Sequence, residues 1–147
     1  MSDNAILLVE DNANDEELTL RALRKSNIAN EVVVTRDGSE ALDYLFGRAQ
    51  FETRDVTSLP QVVLLDLNLP KIGGLDVLRA IRADDRTKFL PVVILTSSRE
   101  DKDLAAGYSL GANSYIVKPV DFSQFSDSVR QLGLYWLVIN HPPPPKP

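Results

Sequence analysis

An α/β domain built on a parallel sheet is the fold class that the sequence predicts, and three observations predict it. Short aliphatic runs recur along the chain at residues 5–9, 32–34, 62–65, 92–95 and 114–117. Stretches with helical spacing of apolar residues lie between them, so strand and helix alternate. Polar residues stand at the C-terminal ends of these runs, the edge at which open parallel sheets bind ligands. Strands this apolar are expected to be buried on both faces, with helices on both sides. Right-handed crossovers and one reversal of strand order would leave a crevice at that edge.

Length and composition set the bounds. The 147 residues suit one domain with a single substantial core, and 44% apolar with 25% charged residues is ordinary for a soluble globular protein. A formal charge of −5 argues against nucleic acid or an anionic membrane as the main partner. The absence of cysteine removes disulfides and thiolate metal sites and fits a reducing compartment. Met1-Ser2-Asp3-Asn4 lacks the basic region of a signal peptide. No apolar run approaches the roughly 20 residues needed to span a bilayer. The expectation is a cytoplasmic domain over residues 1–140 and a proline-rich, poorly ordered tail over 141–147.

The elements follow in order. The first run ends abruptly in Glu10-Asp11-Asn12, and a helix follows with Asn14 as candidate N-cap and Glu17 three residues on. Acidic residues fill its first turn and Arg24-Lys25 its last, matching the helix dipole, with Leu20 and Leu23 facing the core. Val32-Val33-Val34 is β-branched throughout. Asp37-Gly38 turns it into a helix around Glu40 to Phe46, with Leu42, Leu45 and Phe46 as the apolar stripe. Residues 47–60 are polar without periodicity and read as an extended surface connection. Leu75, Val77, Leu78 and Ile81 mark a helix from Gly74 to about Ala83. Ser98 and Asp101 form a capping-box signal for the next helix, with Gly111 suited to its C′ position.

The last helix begins near Asp121 or Phe122. Phe122, Phe125, Val129, Leu132, Trp136 and Ile139 recur at steps of three and four, and Leu134, Tyr135, Leu137 and Val138 make its second half apolar nearly all round. Such a helix needs a second surface to cover it.

The stretch Val62 to Pro70 organises the rest. Four aliphatic residues lead inward and Asp66 stands where the strand ends; Pro70 and Gly73-Gly74 then stop it and force a turn. Glu10 and Asp11 end the first strand, Thr96 the fourth and Lys118 the fifth. Three carboxylates, a hydroxyl and an ammonium would therefore meet at one edge. Crowded carboxylates recruit a cation or hold a proton, and an all-oxygen set suits Mg²⁺. The same constellation suits phosphoryl transfer, with a carboxylate as nucleophile and the cation, Lys and hydroxyl offsetting phosphoryl charge.

Leu8-Val9-Glu10-Asp11, Leu65-Asp66-Leu67-Asn68-Leu69-Pro70 with Gly73-Gly74, Leu95-Thr96-Ser97 and Val117-Lys118-Pro119 resemble, in order and spacing, the receiver domain of two-component response regulators. The resemblance covers about Ile6 to Leu132. It implies a flavodoxin-like (βα)5 fold, a doubly wound five-stranded sheet in the order 2-1-3-4-5. It implies that Asp66 accepts phosphate from a sensor histidine kinase, and that Asp11, Asp66 and the backbone carbonyl of Asn68 bind Mg²⁺ with Glu10 acting through water. Thr96 would bond the phosphoryl group, Lys118 would pair with it, and Tyr115 stands at the switch aromatic. The Lys118-Pro119 bond is cis in many relatives.

The loop before Pro60 and the apolar extension through Trp136 and Ile139 look like regulators paired with bacterial phytochrome kinases. That likeness implies a homodimer using Phe125, Trp136 and Ile139. The expected protein is a phospho-acceptor that assists its own phosphorylation and dephosphorylation rather than an enzyme, and one whose output runs through protein contacts.

Rival readings are weaker. A nucleotide-binding domain wants a glycine-rich turn where Glu10-Asp11-Asn12-Ala13-Asn14 stands. An aspartyl-phosphate phosphatase wants a general acid where Asn68 stands. A phosphorylation-independent interaction module would not need every motif position filled. His141, the one histidine, suits a helix C-terminus better than a phosphocarrier role.

Overall fold

Short, mostly apolar strands of four or five residues set the architecture. The computed structural model describes residues 5–25, 30–96, 106, 108–112 and 114–117. Strands β1 (Ile6–Val9), β2 (Val32–Thr35), β3 (Val62–Leu65), β4 (Val92–Thr96) and β5 (Ser114–Val117) form one parallel sheet in the order β2-β1-β3-β4-β5. This is the order expected for a doubly wound sheet, with the reversal between β1 and β3. Every residue of β1 and β3 is buried.

Alternation of side chains across the pleat divides the interior into two cores. Leu7, Val9, Val63, Leu65, Val92 and Ile94 pack with Leu42 and Leu45 of α2 (Gly38–Phe46) and Val77, Leu78 and Ile81 of α3 (Gly74–Ala83). Ile6, Leu8, Val62, Leu64, Val93 and Leu95 pack on the other side with Leu23, Leu20 and Leu18 of α1 (Ala13–Lys25). Helices therefore cover both faces. Among the described residues, no helix is long and apolar enough to cross a membrane.

Helix caps explain the element boundaries. The cap of α1 is Asn12 rather than Asn14: its Oδ1 accepts the N–H groups of Asn14 at 2.9 Å and Asp15 at 3.0 Å. Two asparagines lie two residues apart, and the helix begins at the earlier one. Asp37 caps α2 by accepting the Glu40 N–H at 2.7 Å, while Glu40 reaches back to the Arg36 N–H at 2.8 Å. This displaced capping box starts α2 at Gly38, two residues before the expected Glu40. Gly111 has φ +94 and donates its N–H to the Tyr108 carbonyl at 3.0 Å, as its expected C′ role requires. Arg82 ties this turn to α3, placing Nε and Nη2 on the Gly111 carbonyl at 3.0 and 2.7 Å and Nη1 on the Leu90 carbonyl at 2.7 Å.

The connection over residues 47–60 departs from the expected extended form. It folds back through a 3-10 turn (Ala49–Phe51), and Phe51 packs edge-on against Tyr44 with centroids 5.2 Å apart. Arg54 organises it. Its guanidinium lies 4.0 Å over the Tyr44 ring and donates to the carbonyls of Tyr44 at 2.8 Å, Asp55 at 2.8 Å and Ser58 at 2.9 Å. One cation thus satisfies loop carbonyls that regular structure would otherwise pair. Burial pushes the Tyr44 phenol above its ordinary value, against the opposing pull of Arg54.

Arg54→Ala should lower the unfolding free energy by about 2 kcal/mol, because charge-assisted bonds and a cation–π contact are lost together. Urea denaturation of the two proteins checks this.

Candidate functional site

Strand register brings the acidic residues together. Val9 pairs with Leu65, so Glu10 and Asp66 leave adjacent strands side by side. The Asp66 N–H still donates to the Val9 carbonyl at 3.1 Å and the Glu10 N–H to the Thr35 carbonyl at 3.0 Å, which fixes both backbones to the sheet edge. Glu10 is 2% exposed and Asp66 7%, while Asp11 is open to solvent. Carboxylate oxygens of all three lie within 4.8 Å of one another.

Local hydrogen bonds orient the group. Glu10 Oε2 accepts the Asn12 N–H at 3.3 Å, so the residue that caps α1 also steadies the first carboxylate. Asp66 Oδ1 accepts the Asn68 N–H at 3.1 Å. Gly74 donates its N–H to the Leu67 carbonyl at 3.0 Å, and a Cβ on Gly74 would collide with the Asp66 carbonyl and the Leu67 Cα. Gly74 is therefore required for close approach. Gly73 has φ −67 and open space around its Cβ position, so it does not force the turn as expected. Lys71 supplies the left-handed conformation instead, at φ +66.

The electrostatics favour a bound cation. For the buried Glu10–Asp66 pair, 4.8 Å or less corresponds to repulsion of about 3 kcal/mol or more when both are ionised, at an effective dielectric of about 20. A divalent ion reverses that sign. The donors are all oxygen, which suits a hard cation. Mg²⁺ bonds of about 2.1 Å place ligand pairs about 3 to 4.2 Å apart. A slight closing of the group, or one carboxylate acting through water, brings the set within that range.

Of the other expected site residues, Asn68 is exposed in the loop after Asp66. Thr96 is the last residue of β4 and pairs with Val117, one residue further along the same edge than Asp66. Tyr115 lies on β5, paired with Ile94. Lys118, the 118–119 bond, the Ser98 cap, His141 and the expected interface residues Phe125, Trp136 and Ile139 lie outside the described residues. Sequence reasoning gives the cap to Asn14 and misses both roles of Asn12, although its place two residues after Glu10 and just before the helix is the signal for them.

Comparisons with known proteins agree with this geometry. The response regulator receiver domain family matches residues 6–130. Probable methanogenesis regulatory protein FilR2 of Methanothrix harundinacea is 41% identical over 95% of this chain and 88% of its own length. The crystal structure of the phosphorylated cyanobacterial phytochrome response regulator RcpA superposes with a TM-score of 0.88 at 38% identity, covering 97% of this chain and all of that one. The Mn²⁺-bound form of Rcp1, a response regulator of Synechocystis, gives 0.87 at 35% identity over 96% and 99% of the two chains. The bacteriophytochrome response regulator AtBRR is 52% identical with a TM-score of 0.74, over 94% and 98%.

In metal-free buffer Asp66→Asn should raise the unfolding free energy by about 1 kcal/mol, since it removes one of the repelling charges and keeps the shape. Chemical denaturation with a chelator present measures it.

Proposed function

The chain belongs to the response regulator receiver domain family and works in phosphorelay signalling; on that premise we propose that Asp66 is its phospho-acceptor and that Mg²⁺ is held beside it. The convergence of Glu10, Asp11 and Asp66 at the β1/β3 edge carries this reading.

An Asp66 carboxylate oxygen attacks the phosphorus of a kinase phosphohistidine. A P–O bond forms, the P–N bond breaks, and the imidazole leaves with the electron pair. Bound Mg²⁺ would supply charge neutralisation for the carboxylates and the phosphoryl oxygens. Asp11, Asp66 and the Asn68 carbonyl would hold it, with Glu10 acting through water. The Asn68 N–H on Asp66 Oδ1 orients the carboxylate for that attack. Thr96 would bond the phosphoryl group and Lys118 would pair with it. The same machinery assists hydrolysis, so the chain is a phospho-acceptor that takes part in its own turnover.

Phosphate changes the output only by favouring one of two conformations. Thr96 would move toward the phosphoryl group and Tyr115 would turn inward, altering the surface that partners meet. The kinase is of the phytochrome type; the 52% identity to a bacteriophytochrome response regulator supports this choice. The chain forms a homodimer through Phe125, Trp136 and Ile139, supported by the apolar pattern of residues 122–139.

Trp136→Ala should shift the solution mass toward the monomer, as sedimentation would register; an unchanged mass counts against the dimer. Incubation with a small phosphodonor and Mg²⁺ should add one phosphate to the wild type by mass spectrometry. None should appear without Mg²⁺ or in Asp66→Asn. Folded wild type that takes no phosphate would leave a docking or metal-only site.

A further inference from the structure

The loop from β3 to α3 is clamped at a point that no chemistry at the acidic edge requires. Asp37 divides its two oxygens: Oδ1 caps α2 by accepting the Glu40 N–H at 2.7 Å, and Oδ2 lies 3.4 Å from the Lys71 ammonium. The next residue, Gly38, presents a bare Cα to Ile72. A Cβ there would collide with the Ile72 carbonyl and come within 2.8 Å of Val77 Cγ2 and 2.9 Å of Ile72 Cβ.

Gly38 is not among the glycines with positive φ, so its backbone conformation does not call for glycine; the space does. A glycine in the first turn of a helix is otherwise a poor choice. Lys71, beside the contact, is held at φ +66, a conformation that a non-glycine residue keeps only when its surroundings over-determine it. At the other end of the loop, Gly74 is seated against the Asp66 and Leu67 backbone. Leu67, Leu69 and Ile72 turn inward onto the core. Asn68 stands between these two anchors.

We infer that Asp37 and Gly38, which lie outside the acidic cluster, are positioning residues for the cation site: they fix the β3–α3 loop at Lys71 and Ile72 and so set where the Asn68 backbone carbonyl stands. The inference rests on the reading that this carbonyl is a cation ligand. Mg²⁺ and Mn²⁺ demand closely defined ligand positions, so a loop free to shift by a fraction of an ångström binds them less well. The Lys71–Asp37 pair is largely exposed on the lysine side, which makes it the weaker part of the clamp. The close approach at Gly38 is the stronger part.

Mn²⁺ binding to the full chain by electron paramagnetic resonance, with amide hydrogen exchange of the metal-free protein, tests this. Gly38→Ala should weaken Mn²⁺ about tenfold and speed exchange at residues 67–73, while the amides of β1 and β4 keep their protection. Asp37→Asn keeps a good N-cap and loses only the charge. It should weaken Mn²⁺ about two- to threefold at low salt and not at high salt. A purely structural role would lower protection throughout and leave the affinity of the folded protein unchanged.

Wild-type affinity in Gly38→Ala overturns the inference. Should that variant not fold, Lys71→Gly replaces it: the positive φ is relaxed and the ion pair removed, and undiminished affinity with unchanged loop exchange overturns the inference equally. No saturable Mn²⁺ binding by the wild type would instead overturn the cation reading beneath it.

Discussion

Mutual repulsion of carboxylates at one sheet edge is the constraint on which the rest of the structure depends. Glu10 and Asp66 are nearly buried, and with Asp11 their oxygens gather within 4.8 Å. Such a cluster persists only because the backbone on either side is held by forces that do not involve it. The Glu10 and Asp66 N–H groups remain in the sheet ladder, and the strands beneath them are aliphatic and fully covered. The folded state thus gathers three carboxylates at one edge, an all-oxygen set that suits a hard cation. Strain of this sort at a site, supported by a well-packed scaffold, is how a folded domain pre-organises its chemistry.

The supports are distributed among residues that look incidental. Asn12 starts α1 and steadies Glu10. Gly74 starts α3 and lets it lie against the Asp66 carbonyl. Asp37 starts α2 and holds Lys71. The N-termini of α1, α2 and α3 therefore each carry a residue that also bonds or packs against a neighbour at or near this edge. This follows from topology, because in a parallel sheet every strand ends at the crevice and every following helix begins there.

Much of the fold was legible in the sequence. The five aliphatic runs correspond to β1 through β5, α3 begins and ends where its leucine and valine spacing places it, and the carboxylates that end the first and third runs meet as expected. What escaped has physical reasons. Periodicity does not distinguish Asn12 from Asn14 as a cap, since either can accept an N–H. The folded loop over residues 47–60 depends on Arg54 bonding carbonyls of Tyr44, Asp55 and Ser58, a pattern with no repeat in the sequence. The reversal after Asp66 is made by Lys71 rather than by the glycines next to it, because packing at Ile72 overrides intrinsic preference.

If the acidic cluster is a divalent-cation site shared by Asp11 and Asp66, the stability of the fold must depend on free Mg²⁺. Unfolding free energy measured against free Mg²⁺ tests it most directly. Above its dissociation constant, a ligand that binds only the folded state adds about 1.4 kcal/mol for each tenfold rise in concentration. Wild type should climb with that slope, and Asp11→Asn should stay flat until far higher concentrations. Equal slopes in the two proteins would contradict the account.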